Sequence, residues 1–348
     1  MQNITLKMSR TYIACGLIIL FLQACGSNAS LPTPQPVSLS TPTSTLTFTP
    51  APFTPIVMST ATSMPMPNVA RVLIISFDGL RPDVIQTADM SNVMALMQAG
   101  AYSLSAQTIF PSLTLPSHTS MLVGTCPAKH VVRWNEYVPE NGYALGTDIF
   151  DLAQAAGLKT IMVVGKEKLR HITEPQSTDF FGFVDSTDKI EDKVSLETMA
   201  IEQIRKGFDL MFIHFPDGDL AGHEYGWKSK EQLFAYKRDD EAFGLLLEVL
   251  KSRDIFADTL IIISADHGGH DTTHGTDSSE DMTIPWIISG PGINHKKLET
   301  KIYTIDTAAT IAFALNLSIP VEWEGIPVYE AFGLPANLLR DEACTGTP

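Results

Sequence analysis

Three almost uninterrupted apolar runs, rich in β-branched residues, are the clearest pattern along this chain. They cover residues 72–77, 210–215 and 260–264. A strand with one solvated face alternates apolar with polar positions, whereas a strand buried on both faces is apolar nearly throughout. The three runs therefore predict buried strands of a largely parallel sheet.

Segments with helical periodicity separate the strand-like runs along residues 69–335. This alternation predicts an α/β sandwich, in which a largely parallel central sheet is flanked by helices on both faces. No internal repeat and no separate cap domain are evident in the sequence. Strands are predicted at residues 71–77, 160–164, 209–215, 259–264 and 284–289, and helices at residues 89–100, 147–156, 196–206, 230–253 and 306–315.

Acidic and histidine side chains follow directly after the three apolar runs. They are Asp78, Asp219, His223, Asp266, His267 and His274. Because the carboxyl ends of parallel strands meet at one edge of a sheet, we expect these side chains to lie together. Asp219 and His223 are one helical turn apart, as ligands of a shared metal would be. Carboxylate and imidazole ligands without cysteine favour zinc, with manganese and iron as alternatives.

The segment at residues 110–124 indicates a loop that leads into a short helix. Pro116 suits the first helical turn, where its missing N–H is not needed. Thr114 then lies just before the helix N-terminus, where free backbone N–H groups favour an anion. A threonine hydroxyl is a weak nucleophile unless a metal or a base activates it. Taken together with the metal ligands, Thr114 is the candidate nucleophile rather than a capping residue.

Four ordered stretches carry a resemblance to a known family: SFDGLRPD, FPSLTLPSHTSMLVGTCPAKHVVRWN, PDGDLAGHEYGW and SADHGGHDTTHG. The chain resembles the alkaline phosphatase superfamily, on its nucleotide pyrophosphatase/phosphodiesterase (type I phosphodiesterase) side. The resemblance runs from about Arg71 to Val328 and so covers the whole predicted domain. It implies an alkaline phosphatase-like sandwich and a metal-dependent enzyme that hydrolyses phosphoric esters, and it favours phosphodiester or pyrophosphate bonds as substrates.

The resemblance also implies a role for each candidate residue. It implies two zinc ions and a phospho-threonine intermediate on Thr114. It further implies that Asn135, 21 residues after Thr114, holds a phosphate oxygen through its amide. One zinc would be bound by Asp219, His223 and His274, and the second by Asp78, Asp266, His267 and the nucleophile Thr114.

A Lys-x-Lys pattern at Lys166 and Lys168 leaves the substrate class open. It is similar to the phosphate-gripping lysines of phosphonoacetate hydrolase and of some monoester phosphatases, so a phosphomonoesterase or phosphonate hydrolase is the alternative function. A solvated basic turn is the other interpretation of this segment. A non-catalytic, lipid-anchored binding protein is a remote alternative, because every expected ligand and the nucleophile are present.

Residues 1–25 are typical of a bacterial lipoprotein signal peptide. Lys7 and Arg10 precede an apolar stretch at residues 12–22, which is too short to span a bilayer. The stretch ends in Leu22-Gln-Ala-Cys25, which resembles a lipobox. We therefore expect lipidation at Cys25 and an extracytoplasmic, membrane-anchored protein, with ordinary secretion as the alternative.

Composition divides the rest of the chain. The Pro/Ser/Thr-rich residues 26–68 predict a disordered tether, residues 69–335 the catalytic domain and residues 336–348 a C-terminal tail. Lys7 and Arg10 are the only charged residues before Val69, so 22 of the 24 basic residues and all 39 acidic residues follow it. This negative charge disfavours nucleic acid polymers as partners and is compatible with small phosphorylated substrates. Cys126 and Cys344 are left as either a disulfide or two free thiols.

Overall fold

The computed structural model of the protein describes residues 69–185, 194–338 and 343–344. The predicted signal peptide, the lipidation site Cys25 and the tether at residues 26–68 lie outside these residues, as does most of the predicted C-terminal tail. Within the described part, no helix is both long enough and apolar enough to cross a membrane.

One sheet of eight strands organises the described residues. The strands are β1 (Arg71–Phe77), β2 (Ala101–Gln107), β3 (Thr160–Val164), β4 (Phe180–Phe183), β5 (Leu210–Phe215), β6 (Thr259–Ser264), β7 (Thr283–Ser289) and β8 (Lys296–Lys297). Their order across the sheet is β4-β3-β5-β1-β6-β7-β2-β8. Neighbouring strands are parallel except where β7 pairs with β6 and with β2. The predicted largely parallel sheet is therefore confirmed.

Helices cover both faces of this sheet. Every residue of β5 and of β6 is buried, and successive side chains of a strand point to opposite faces, so both faces must be covered. The chain thus folds as an α/β sandwich, as predicted. The helices are α1 (Ser91–Ala99), α2 (Thr114–Val123), α3 (Pro127–His130), α4 (Ile149–Ala155), α5 (Leu196–Lys206), α6 (Asp217–Tyr225), α7 (Lys230–Ser252), α8 (Ser279–Met282) and α9 (Asp306–Ala314).

All five predicted strands and all five predicted long helices are present, with ends that differ by at most two residues. Strands β2, β4 and β8 were not predicted. β4 has four residues and β8 has two, so neither is long enough to show a periodic pattern. β2 alternates buried with partly exposed positions and is rich in alanine and serine, which have no marked preference for strands.

Helix α7 packs on α6 through a close contact between Tyr236 and Gly218. Tyr236 is fully buried, and its hydroxyl donates a hydrogen bond to the backbone oxygen of Asp78 over 3.1 Å. A Cβ atom at Gly218 would lie 1.9 Å from Cε1 of Tyr236. Only glycine therefore allows α7 to approach α6 and the end of β1 this closely.

Cys126 and Cys344 form a disulfide, with their Cα atoms 5.3 Å apart. Ile109, Tyr303 and Ile305 form a small buried apolar cluster with Cys126. The bond joins residues 218 positions apart in the sequence. It connects the C-terminal region to the segment that follows α2, which answers the question that the sequence left open.

We expect Gly218→Ala to lower the free energy of unfolding by about 1–3 kcal/mol, because the added methyl group overpacks against the ring of Tyr236. Helix propensity alone predicts the opposite sign, a gain of about 1 kcal/mol. Urea unfolding followed by circular dichroism measures the difference. Glu224→Ala, at an exposed position of the same helix, is the control and should change the stability by less than about 0.5 kcal/mol. Unchanged stability of Gly218→Ala would contradict the packing argument.

Candidate active site

The carboxyl ends of three adjacent strands bring the predicted acidic residues together. Strand β1 lies between β5 and β6 in the sheet. Asp78 directly follows β1, Asp219 lies in the first turn of α6 after β5, and Asp266 follows β6. All three carboxylates are almost completely buried. The parallel order of these strands thus gathers residues that are far apart in the sequence.

One group of candidate metal ligands consists of Asp219, His223 and His274, whose ligand atoms all lie within 4.8 Å of one another. Asp219 Oδ1 is 3.4 Å from Nε2 of His223 and 3.6 Å from Nε2 of His274. The two Nε2 atoms are 3.2 Å apart. The structure therefore brings together the three residues that the family resemblance assigns to one metal ion.

A second group consists of Asp78, Asp219 and His267, again with ligand atoms within 4.8 Å of one another. The family resemblance implies Asp266 here, not Asp219. Asp266 lies beside this group, with Oδ2 3.2 Å from Nε2 of His267, while its Oδ1 accepts a hydrogen bond from the Gly79 N–H over 3.1 Å. Asp219 is thus within reach of both groups.

The three imidazole rings are oriented as metal ligands are. In each ring Nδ1 lies against a backbone carbonyl: His223 against Thr272, His267 against Gly268 and His274 against Ser112, at 3.0, 2.7 and 2.8 Å. A carbonyl only accepts hydrogen bonds, so Nδ1 carries the proton in each ring. In a neutral imidazole the lone pair is then on Nε2, and this is the arrangement that metal-ligating histidines adopt.

Buried carboxylate oxygens face these lone pairs. Within the described residues, Asp78 Oδ1, Asp219 Oδ1 and Asp266 Oδ2 are buried and accept no hydrogen bond. Anionic oxygens and imidazole lone pairs repel one another, and buried charges without partners are strongly unfavourable. Divalent cations between them would remove both penalties. The donor set therefore fits metal ions bound by oxygen and nitrogen.

The pKa values of neighbouring side chains in this centre are shifted in opposite directions. Burial and the adjacent Asp78 raise the pKa of Asp266 to about 8. Burial also opposes ionisation of Asp78, but the Lys166 ammonium and the hydrogen bond from His214 outweigh it and hold the pKa of Asp78 well below its ordinary value. Burial and the neighbouring His267 lower the pKa of His274 to about 3, so this ring is neutral at physiological pH.

Thr114 is the first residue of α2, not the residue before it as predicted, and it is 1% exposed. Its Oγ1 lies 3.4 Å from Nε2 of His267. Asn135 lies beside it, because its Oδ1 accepts a hydrogen bond from the Leu115 N–H over 2.9 Å. In this first turn the Leu115 N–H is bonded to Asn135 and Pro116 has no N–H. The Thr114 N–H is therefore the donor that remains for an anion. The oriented Asn135 amide adds its NH₂ group as a further donor.

The Lys-x-Lys segment, Lys166 to Lys168, follows β3 and lines a cavity that also contains Thr114 and Asp219. Lys166 Nζ lies 2.7 Å from Asp78 Oδ2, 2.5 Å from Asp219 Oδ2 and 3.4 Å from Thr114 Oγ1. Lys168 lines the same cavity of about 490 Å³ together with Thr114 and Asn135. Burial and the nearby Lys166 lower the pKa of the Lys168 ammonium. The segment is therefore part of the cavity wall, not a solvated turn.

A buried layer beneath the site was not assigned from the sequence. His118, one helical turn after Thr114, donates from Nδ1 to the Thr114 carbonyl over 2.8 Å, and its Nε2 lies 2.8 Å from the Ser76 hydroxyl. Trp227 donates from its indole nitrogen to the backbone oxygen of Gly79 over 3.1 Å. The spacing of four residues between Thr114 and His118 is the one signal in the sequence that points to this layer.

Comparison with curated proteins finds relatives that are named as a phosphate transferase and as pyrophosphatases/phosphodiesterases. The chain is 28% identical over 297 residues to human GPI ethanolamine phosphate transferase 2, catalytic subunit, covering 78% of this chain and 29% of that protein. It is 25% identical over 247 residues to ectonucleotide pyrophosphatase/phosphodiesterase family member 7 of Mus musculus, covering 61% of this chain and 53% of that protein. The chain thus spans less than two thirds of the length of either relative.

A comparison of folds finds the same architecture in a solved structure. An inactive variant of murine ectonucleotide pyrophosphatase/phosphodiesterase 5, solved in complex with AMP, superimposes with a TM-score of 0.59 at 15% identity, covering 72% of this chain and 96% of that one. At this identity the likeness shows a shared fold. The family model for type I phosphodiesterase/nucleotide pyrophosphatase matches residues 72–284, which contain every predicted ligand and Thr114. The chain therefore belongs to the type I phosphodiesterase/nucleotide pyrophosphatase family.

Proposed function

We propose that this protein is an extracytoplasmic, two-zinc phosphoester hydrolase that cleaves phosphodiester or pyrophosphate bonds through a phospho-threonine intermediate on Thr114. The observation that carries this proposal is the position of Thr114, which lines the cavity and whose Oγ1 lies 3.4 Å from Nε2 of His267. Family membership supports the reaction class. The location rests on the lipobox-like sequence at Cys25 and on the charged and apolar segments before it.

The ligand assignment follows the family resemblance. Asp219, His223 and His274 would hold one cation, and Asp78, Asp266 and His267 the second, together with Thr114. Asp219 Oδ1 also lies 4.0 Å from Nε2 of His267, which makes it a candidate bridge between the two sets. Zinc is favoured because, apart from the Thr114 hydroxyl, all ligand atoms are carboxylate oxygens or imidazole nitrogens, which are ligand types that zinc accepts.

The residues of the chain divide the work of the reaction. Two divalent cations, when bound, supply charge that lowers the pKa of the Thr114 hydroxyl and stabilises the leaving oxygen. The Thr114 hydroxyl loses its proton, and its oxygen forms a bond to phosphorus while the bond from phosphorus to the leaving oxygen breaks and that oxygen takes up a proton. Water then attacks phosphorus, the Oγ1–P bond breaks, and one proton of the water returns to Oγ1 as the phosphate product leaves. The Asn135 amide and the Thr114 N–H donate hydrogen bonds to the non-bridging phosphoryl oxygens. Each such preorganised donor contributes about 3–4 kcal/mol to stabilising the transition state.

A phosphomonoesterase or phosphonate hydrolase is the second candidate function, and the position of Lys168 favours it. Lys168 lines the cavity beside Thr114, and among the described residues it forms no ion pair. A half-buried ammonium that no carboxylate of the described residues approaches within ion-pair distance suits a substrate with one more negative charge than a diester. Lys166 is less available, because Asp78 and Asp219 already pair with it.

Replacement of the nucleophile is the first test. Thr114→Ala should lower kcat/KM for bis-p-nitrophenyl phosphate by at least about 1,000-fold, since the covalent route is lost. Zinc content, measured by mass spectrometry of the metal, should remain close to that of the wild type. Thr114→Ser is the control, because it keeps a hydroxyl at the same place and should retain measurable turnover. Full activity of Thr114→Ala would remove Thr114 from the mechanism.

Metal removal tests the cofactor. Dialysis against a strong chelator should abolish hydrolysis, and zinc should restore it at about two ions per chain. Each of the two zinc sites should also raise the stability by about 2.7 kcal/mol at a free concentration one hundred times its dissociation constant, as expected for a ligand of the folded state alone. Activity that survives complete removal of metal would contradict the two-zinc proposal, and restoration at one ion per chain would contradict the second site.

The two candidate substrate classes are separated by Lys168→Ala. If the enzyme is a diesterase, kcat/KM for bis-p-nitrophenyl phosphate should change by less than about threefold. If it is a monoesterase, kcat/KM for p-nitrophenyl phosphate should fall by about 10–150-fold, the loss of one hydrogen bond to a charged group. Arg170→Ala is the matched control, because Arg170 lies on the same turn and stacks over the Phe181 ring at 4.3 Å. A preference for the monoester in the wild type would overturn the first proposal.

A further inference from the structure

We propose that His214 is a positioning residue that presents one oxygen of Asp78 to a cation and leaves the other to the protein. His214 is fully buried in β5, next to Ser76 of the adjacent strand β1. Its Nε2 lies 2.8 Å from Asp78 Oδ2. The inference rests on the proposed function, because it concerns a ligand of the proposed metal centre, but it assigns a role to a residue outside the ligand set.

A second hydrogen bond fixes the protonation state of this ring. The Gly165 N–H donates to Nδ1 of His214 over 3.2 Å. Nδ1 must therefore have a free lone pair, which excludes an imidazolium ion. The single proton of the neutral ring is then on Nε2, and Nε2 donates to Asp78 Oδ2.

The two oxygens of Asp78 consequently have different surroundings. Oδ2 accepts from His214 and also pairs with Lys166 Nζ over 2.7 Å. Oδ1 accepts no hydrogen bond from the described residues and lies 3.5 Å from Nε2 of His267. The His214 bond thus holds the carboxylate in the rotation that turns Oδ1 towards the proposed metal.

The same ring links this ligand to the lysine segment. Gly165, whose N–H bonds to His214, directly precedes Lys166 in the chain. Strands β3 and β5 are parallel neighbours, and Val164 at the end of β3 lies opposite His214 in β5. Lys166, just after β3, and His214 therefore both reach Asp78 Oδ2. His214 fixes the orientation of Asp78 and also the backbone from which Lys166 extends.

His130 provides a matched comparison within the same protein. It is fully buried, its Nδ1 accepts from the Val132 N–H over 3.2 Å, and its Nε2 lies 2.9 Å from the Ser120 hydroxyl. Its two hydrogen bonds therefore resemble those of His214, but its partner is a hydroxyl and not a candidate metal ligand. A substitution at His130 reports what the loss of a buried histidine does to the fold alone.

Two substitutions of His214 by amide side chains, made in the full-length chain, distinguish the effects of its two hydrogen bonds. His214→Gln places an N–H donor near the position of Nε2 and keeps the bond to Asp78. His214→Asn places an acceptor near the position of Nδ1 and keeps only the bond to Gly165. Zinc affinity is measured for each by competition with a chromogenic chelator, and urea unfolding of the metal-free forms reports the stability of the fold.

We expect His214→Asn to weaken zinc binding at one of the two sites by about 10–100-fold, the usual effect of losing a hydrogen bond to a metal ligand. His214→Gln should recover most of that loss, and His130→Asn should bind zinc as the wild type does. Equal losses in His214→Asn and His214→Gln, or wild-type affinity in both, would overturn the assignment. A similar loss in His130→Asn would also overturn it, since the effect would then be a general loosening of the fold.

Failure of this inference is distinguishable from failure of the proposed function. If the wild type binds two zinc ions but hydrolyses neither p-nitrophenyl ester, the proposed function fails, and the zinc affinities still decide the role of His214. If the wild type is active and His214→Asn binds zinc normally, the positioning role alone is wrong. A wild type that binds no zinc would overturn both.

Discussion

The interaction on which the site depends is the repulsion among buried carboxylates that the sheet itself creates. Asp78, Asp219 and Asp266 follow three strands that are neighbours in the sheet, and all three are buried. In each of them one oxygen accepts no hydrogen bond from the described residues. Such a centre is unfavourable unless positive charge enters it. The Lys166 ammonium supplies part of this positive charge, and bound cations would supply the rest.

The surrounding helices hold this unfavourable centre in place. Tyr236 of α7 bonds to the backbone of Asp78, and the close packing of its ring on Gly218 brings α6, with Asp219, against the same strand end. His118 of α2 bonds to the Thr114 carbonyl. Burial of the apolar strands that precede the carboxylates stabilises the fold and offsets the electrostatic free energy that the carboxylates cost.

The sequence predicts those elements whose structure is determined by residues that are neighbours in the chain. The central strands are evident because burial on both faces demands apolar residues at every position, and Asp78, Asp219 and Asp266 are evident because they end those runs. The short strands β4 and β8 carry no such signal. The approach of Asp219 to both ligand groups was also not predicted, because carboxylate rotation depends on contacts with distant residues. Gly79 bonds to Asp266 across 187 positions, and His214 bonds to Asp78 across 136.

Charge balance connects the fold to the choice of substrate. With all three aspartates ionised, as metal binding requires, and the Lys166 ammonium paired with two of them, the side chains of the centre carry a net charge of about minus two. Two divalent cations would reverse this to plus two, and an ionised Thr114 would reduce it to plus one. A phosphodiester, with one negative charge, balances that centre without further help. A monoester dianion needs one more positive charge, and Lys168 is the residue of the cavity wall that would supply it. The substrate class therefore depends on whether the Lys168 ammonium reaches the phosphoryl group.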